Sequence, residues 1–248
     1  MTPLMNARIE VKKTVRKILR ATGWDVVRYN NQNSALKALV QQLRLHRIDT
    51  VLDVGANAGQ YTASLREVGY RGRVYSFEPL ESAHAQLLRA ANKDLDWNVA
   101  PRMALGNEDG TLAIHVAANS WSSSALKMLD AHVRADPGSR YVAEESVRVA
   151  RLDTVALELG IPGENLFLKV DVQGFERQVL EGAAGLRSRI KGVQLELSLL
   201  PLYEGQELFL PLIDALTRDG FEVCGFLPGW VEPATGRTLQ VDAIFFRH

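Results

Sequence analysis

The stretch Thr50-Val-Leu-Asp-Val-Gly-Ala-Asn-Ala-Gly59 decides how this chain folds. The apolar pair Val51-Leu52 leads to Asp53, and Gly55, Asn57 and Gly59 follow at alternate positions before helix-compatible residues from Gln60 to Val68. That order describes a buried parallel strand turning tightly into a helix, where free backbone amides cradle nucleotide-like ligands. Gly55 and Gly59 reach dihedral angles closed to other residues and open the main chain to a ligand. Asn57 stands where a third glycine is expected, and asparagine enters the left-handed region more readily than most side chains. Alone, the stretch also fits an ordinary strand–helix turn, because short glycine motifs recur by chance.

A second strand, Arg73 to Phe77, runs straight into Glu78 and Pro79. Glu78 lies about 20 residues beyond the loop, the distance at which an acid ending the second strand meets ribose hydroxyls. A carboxylate accepts two hydrogen bonds at once and so suits a vicinal diol. Together the two features point to an adenosine-type ligand.

Working outward, helical patterns precede the loop near 8–21 and 34–46, with Ser34 as the cap of the second. Helix 81–92 leads to an apolar–polar run near 97–104, and Thr111 to Ala117 alternates as a strand. Residues 118–145 are irregular and serine-rich around Trp121, and read as an insertion forming a lid or substrate wall. Strands follow at 146–151, 166–170 and 193–197, helices at 175–184 and 206–219, and an antiparallel pair at 222–227 and 239–246. Alternating strands and helices predict an α/β protein with a doubly wound, mostly parallel sheet. Residues 1–48 are expected as an N-terminal helical extension and 49–248 as the catalytic domain.

Asp171 closes the apolar strand in Leu-Lys-Val-Asp-Val-Gln-Gly-Phe-Glu, and Glu196 lies within the next strand. Ligands of open α/β sheets bind outside the carboxyl ends of such strands, so Asp171 is expected in the crevice. Two roles stay open for these carboxylates: a base or electrostatic partner for an alcohol, or oxygen ligands to a divalent metal. An ion pair of Lys169 with either acid is the structural alternative. His84, His115 and His132 are candidate bases, and only His132, in the insertion, keeps a candidacy by position.

The 248 residues carry equal numbers of acidic and basic side chains, and the sequence pI is about 7.0. No global nucleic-acid footprint follows from that balance. The single cysteine, Cys224, excludes an internal disulfide framework and reads as a small core residue within Phe221 to Leu227. No apolar run is long enough to span a bilayer and no signal peptide is evident, so the expected compartment is the cytoplasm. Residues 8–20 form a basic amphipathic pattern. Packing against the domain or a partner is the favoured reading, and peripheral contact with an anionic membrane is the other.

The ordered pieces LDVGANAG, YSFEP, MALGNEDG (103–110), ARLDT (150–154), LKVDVQGFE with VLEGA, and QLEL resemble the FkbM family of S-adenosylmethionine-dependent methyltransferases over about residues 50–200. The family often has an acid where Gln173 stands. The resemblance implies a Rossmann-like methyltransferase fold and O-methylation of a hydroxyl-bearing small molecule or glycoconjugate, commonly a sugar or natural product. It implies that Asp53, Gly55, Asn57 and Gly59 line the methionine end of S-adenosyl-L-methionine, that Glu78 binds its ribose, and that Ala104 and Leu105 lie beside adenine. Asp171 is then expected to draw the proton from the acceptor, with Glu196 or a metal assisting. Competing expectations are a nicotinamide-dependent oxidoreductase and a noncatalytic cofactor-binding module.

Overall fold

The computed structural model describes residues 13–26, 29–31 and 34–247. After a helix at residues 13–21 (α1) come α2 (Ala35–Leu45), β1 (Thr50–Val54), α3 (Gln60–Glu67), β2 (Arg73–Phe77), α4 (Glu81–Ala91) and β3 (Trp97–Val99). Then follow β4 (Ala104–Gly106), β5 (Gly110–Ala117), α5 (Asp130–Ala135), β6 (Tyr141–Arg151), α6 (Leu152–Glu158), β7 (Leu166–Val170) and α7 (Glu176–Gly182). The chain closes with β8 (Ile190–Ser198), α8 (Phe209–Arg218), β9 (Glu222–Pro228) and β10 (Gln240–Phe246).

Seven strands form one sheet in the order β3-β2-β1-β7-β8-β10-β9. β1 pairs parallel with β2 and with β7, β7 with β8, and β10 runs antiparallel to β8 and β9. This is the expected doubly wound, mostly parallel sheet with an antiparallel C-terminal pair. Winding reverses between β1 and β7, and the crevice opens at the carboxyl ends of these strands. As a central strand covered on both faces, β1 is buried at all five positions. Its alternation splits the core: Leu52 and Val54 pack with Leu152, Val179 and Leu212, whereas Val51 packs with Leu39, Leu65 and Phe246.

Helix α2 is capped as expected, with Ser34 Oγ accepting from the Lys37 amide at 3.3 Å. Its Leu39, Val40 and Leu43 belong to the core under β1.

Four readings of the sequence need correction. The run at 97–104 is two strands in different sheets, because Pro101 interrupts it and offers no amide donor. The strand read at 146–151 begins at Tyr141 and joins β4 and β5 in a separate three-stranded sheet, order β4-β6-β5. Cys224 is exposed, not core, because β9 is an outer strand hydrogen-bonded on one side only. Packing of the basic helix on the domain is not seen at Val15 and Ile18, which are 49% and 61% exposed, and packing on a partner stays an expectation. Ile9 and Lys12 lie outside the described residues. Among the described residues no helix is long and apolar enough to cross a membrane.

Candidate active site

The loop after β1 is shaped by the protein's own packing. Gly55 (φ +77°) leaves so little room that an added Cβ would sit 1.8 Å from the Asp171 carbonyl oxygen. At Gly59 (φ +92°) it would sit 2.8 Å from the Trp97 ring. Both glycines take the left-handed dihedrals expected of them, and neighbouring chain also demands glycine at each position. Asn57 does adopt the left-handed conformation, at φ 47°. Its side-chain oxygen accepts from the Ala58 amide at 2.8 Å, which helps hold that geometry.

Glu78 locks the loop to the end of β2. Its Oε2 accepts from the Asn57 amide at 2.8 Å, and its Oε1 from the Leu80 amide at 2.9 Å. The residue is only 4% exposed, and burial pushes its carboxyl up to about 7, against the pull of both amides and Lys169. Each oxygen keeps a lone pair for a further donor.

Beneath the loop lies a buried charge cluster. Lys169 Nζ stands 3.3 Å from Asp171 Oδ2, 3.4 Å from the Gly55 carbonyl oxygen and 3.5 Å from Asp53 Oδ1. Burial would lower the lysine, but Asp171, Asp53 and Asp242 outweigh it and raise it above its usual value. Thr62 and Ser76 hydroxyls donate to Asp53 Oδ2 at 3.1 and 3.3 Å. Asp53, fully buried, thus braces Lys169 from below. The expected ion pair of Lys169 with Asp171 is present, alongside the placement of Asp171 in the crevice.

One cavity of about 190 Å³ opens at the strand ends, and Gly55, Asn57, Glu78, Ala104, Leu105, Asp171 and Glu196 all line it. Asp53 and Gly59 do not reach its wall; they lie behind it. Leu80, Met103, Leu112 and Ile114 give the cavity an apolar side.

Gln173 ties the two candidate catalytic carboxyls together, from a left-handed backbone at φ 54°. Its Nε2 donates to Asp171 Oδ1 at 3.0 Å and to Glu196 Oε2 at 2.5 Å. Tyr203 Oη donates to its Oε1 at 2.7 Å, which fixes the amide the right way round. Gln240 Nε2 also donates to Glu196 Oε2, at 2.8 Å. Burial, then Asp171, Asp242 and Glu176, push Glu196 well above the usual carboxylate range. That shift favours the neutral form of Glu196 over its carboxylate. Among the described residues no group of three or more His, Cys, Asp or Glu could hold a metal ion.

The three histidines separate clearly. His84 Nε2 bonds the Ala100 carbonyl at 2.8 Å, and His115 stacks on Tyr141 at 4.9 Å. His132 is 1% exposed, and burial lowers it to about 4, so it is neutral. Its Nε2 is engaged with Ser122 Oγ at 3.1 Å, not with the carboxyl pair. Sequence reasoning missed Tyr203 and Gln240 as members of this network. Nothing local marks them, and only the approach of distant segments does.

With this geometry in view, comparison with known proteins is decisive for kinship. A model of the methyltransferase FkbM domain matches residues 53–226. The chain belongs to the FkbM methyltransferase family. The FkbM domain takes in the glycine loop, Glu78, the insertion, Asp171, Gln173, Glu196 and Tyr203. Membership makes the chain a methyltransferase and sets aside the nicotinamide alternative. It is similar to 2-O-methyltransferase NoeI of Sinorhizobium fredii, with 27% identity over 188 residues, covering 73% of this chain and 76% of NoeI. Solved structures similar to it include magnesium protoporphyrin IX methyltransferase from Synechocystis PCC 6803 with bound SAM (13% identity, TM-score 0.45, 96% of this chain and 97% of that one). TehB from Haemophilus influenzae is another, at 11% identity and TM-score 0.46, covering 85% of this chain and 62% of TehB.

Proposed function

We propose that this protein is an S-adenosylmethionine-dependent O-methyltransferase whose acceptor is a carbohydrate hydroxyl in a glycolipid, glycoconjugate or natural product. The observation that carries this reading is the single cavity in which Gly55, Asn57, Glu78, Asp171 and Glu196 meet. Its donor set fits the cofactor. Glu78 keeps two lone pairs for a ribose diol, Leu80, Met103 and Ile114 offer an apolar side for a base, and Asp171 favours a cationic centre. The choice of oxygen as acceptor draws on the 2-O-methyltransferase relative.

S-adenosylmethionine supplies an activated methyl group on a sulfonium. The chain's own task is to align a hydroxyl and take its proton as the new bond forms. Asp171 serves as the base, with Lys169 Nζ at 3.3 Å compensating its charge. Neutral Glu196 donates a hydrogen bond and orients the hydroxyl. Gln173 keeps the two carboxyls apart in role, through one amide group that donates to both.

The test has two arms. S-adenosylhomocysteine should raise the melting temperature and NAD should leave it unchanged. Incubation with methyl-labelled donor and a glycan panel should yield an O-methylated product by mass spectrometry. A protein stabilised by the homocysteine product that labels no glycan would remove the carbohydrate reading. The absence of any stabilisation would remove the cofactor reading itself.

A further inference from the structure

A second cavity, of about 230 Å³, adjoins the first and shares Trp121, Gln173 and Glu196 with it. Its remaining wall draws on the insertion, through Asn119, His132 and Asp136, and on the C-terminal strand pair and its connection, through Trp230 and Gln240. We propose that this second cavity is the acceptor subsite, and that it takes one pyranose ring with its C–H face on Trp230 and a hydroxyl edge turned toward Glu196. The inference rests on the methyl-transfer reading above and assigns the substrate-binding residues that reading lacks.

The composition of the wall argues for a sugar. Two indoles line it, but no aliphatic side chain does. A hydrocarbon ligand would meet polar groups on every other side and leave them unpaired. A small polar ligand without an apolar face would make no use of the indoles. A pyranose has an apolar C–H face and a rim of hydroxyls, so it matches both kinds of wall.

Polar capacity points the same way. Gln240 spends its Nε2 on Glu196 and Ser198, so its amide oxygen is the group it can offer to a ligand hydroxyl. Asp136 accepts from Asn119 Nδ2 at 2.8 Å and from the Gly138 amide at 2.8 Å, which fixes its carboxylate and leaves lone pairs for a further donor. The shared wall then sets the chemistry: a ring in this cavity presents its edge to the Gln173–Glu196 bridge, beside Asp171.

His132 packs beside the platform. Its ring lies 4.7 Å from Trp230 and 5.1 Å from Tyr203, wedged between the proposed platform and the residue that orients Gln173. Its Nδ1 is buried without a hydrogen-bond partner, so the ring is held by packing and by Ser122 alone.

The experiment uses the full chain saturated with S-adenosylhomocysteine. Saturation-transfer NMR is run with methyl β-D-glucopyranoside, methyl β-D-galactopyranoside and methyl α-D-mannopyranoside as probes, and cyclohexylmethanol as the apolar control. At least one glycoside should receive saturation, strongest at ring C–H protons, and the control should not. Trp230→Ala should weaken the glycoside about five-fold or more, while Trp230→Phe retains most of the binding. The homocysteine melting shift should be the same in all three proteins. Glycoside signals absent from a wild-type protein that the homocysteine does stabilise, or undiminished in Trp230→Ala, overturn the subsite. A wild-type protein that the homocysteine fails to stabilise overturns the cofactor reading instead.

Discussion

Asp53, Gly55, Asn57 and Glu78 come from β1, the loop that follows it and the residue just after the adjoining β2. Trp121, His132, Tyr203, Trp230 and Gln240 come from segments scattered across the insertion and the C-terminal third. The first group is held largely through main chain: the amides of Asn57 and Leu80 bond Glu78, and those of Gly55 and Ala56 bond the Phe77 carbonyl at 3.1 and 3.0 Å. The second is held through side chains, by the Tyr203–Gln173 and Gln240–Glu196 hydrogen bonds and the ring contacts of His132. Main-chain architecture tolerates little variation in residue type, whereas a side-chain wall can be rebuilt for another acceptor on the same scaffold.

The carboxyl pair lies where the two halves meet, so the largest effect is expected there. Asp171→Asn should lower kcat by about 10²–10⁴-fold, the usual worth of a positioned base. S-adenosylhomocysteine affinity should change little, as measured by calorimetry. An intact rate in that variant would take the base away from Asp171. A collapse of cofactor affinity would place the residue with the glycine-loop half.

A smaller effect isolates the cofactor half. In the free protein Glu78 titrates at about 7, because burial favours its neutral form. Two ribose hydroxyls donating to it would favour the carboxylate, so binding should release a proton. Cofactor affinity should therefore fall as pH drops below 7 and level off above it. Calorimetry in two buffers of different ionisation enthalpy measures that proton directly. Glu78→Gln should weaken binding by about 1.5–3 kcal/mol and flatten the pH profile. Wild-type affinity without pH dependence would separate Glu78 from the ribose. Stability of the free chain runs the opposite way. Folded Glu78 keeps a proton that the unfolded chain has lost, so stability falls as pH rises from about 4.5 to about 7. Glu176, also raised to about 7 by burial, contributes with the same sign, so Glu78→Gln should remove only part of that slope.

The contrast between the halves also explains what could be read from residues alone. The mostly parallel sheet with its antiparallel C-terminal pair, and the strand-end positions of Glu78 and Asp171, were legible because each depends on local period and on a strand end. The positive φ of both glycines was legible, but the Asp171 carbonyl and the Trp97 ring that also demand them are remote in sequence. Cys224 misled because its apolar neighbours suggested a core strand, and edge position is a property of the whole sheet. The acceptor wall was the least legible. Trp121 stood out within the serine-rich insertion, but nothing in the chain announces that Gln240 faces Glu196; that follows from β10 pairing with β8 in the register Gln240↔Ser198 and Asp242↔Glu196.

The smallest effect tests the hinge between the halves. Tyr203 is 1% exposed, and its hydroxyl donates to Gln173 Oε1. Tyr203→Phe keeps the ring packed on His132 and removes the hydroxyl that serves Gln173 Oε1 and contacts the Ser122 carbonyl at 3.2 Å. The stranded amide oxygen should cost about 1–3 kcal/mol of stability in denaturant unfolding, since a buried acceptor loses its partner. Released from Tyr203, the amide can rotate and withdraw its Nε2 from Asp171 and Glu196, so that neither carboxyl is held in its present orientation. The rate should fall about tenfold at unchanged homocysteine affinity. Loss of stability with an unchanged rate would make Tyr203 a packing residue. A drop in both rate and cofactor affinity would mean that the side-chain half also shapes the glycine loop, and that the two halves are not independent.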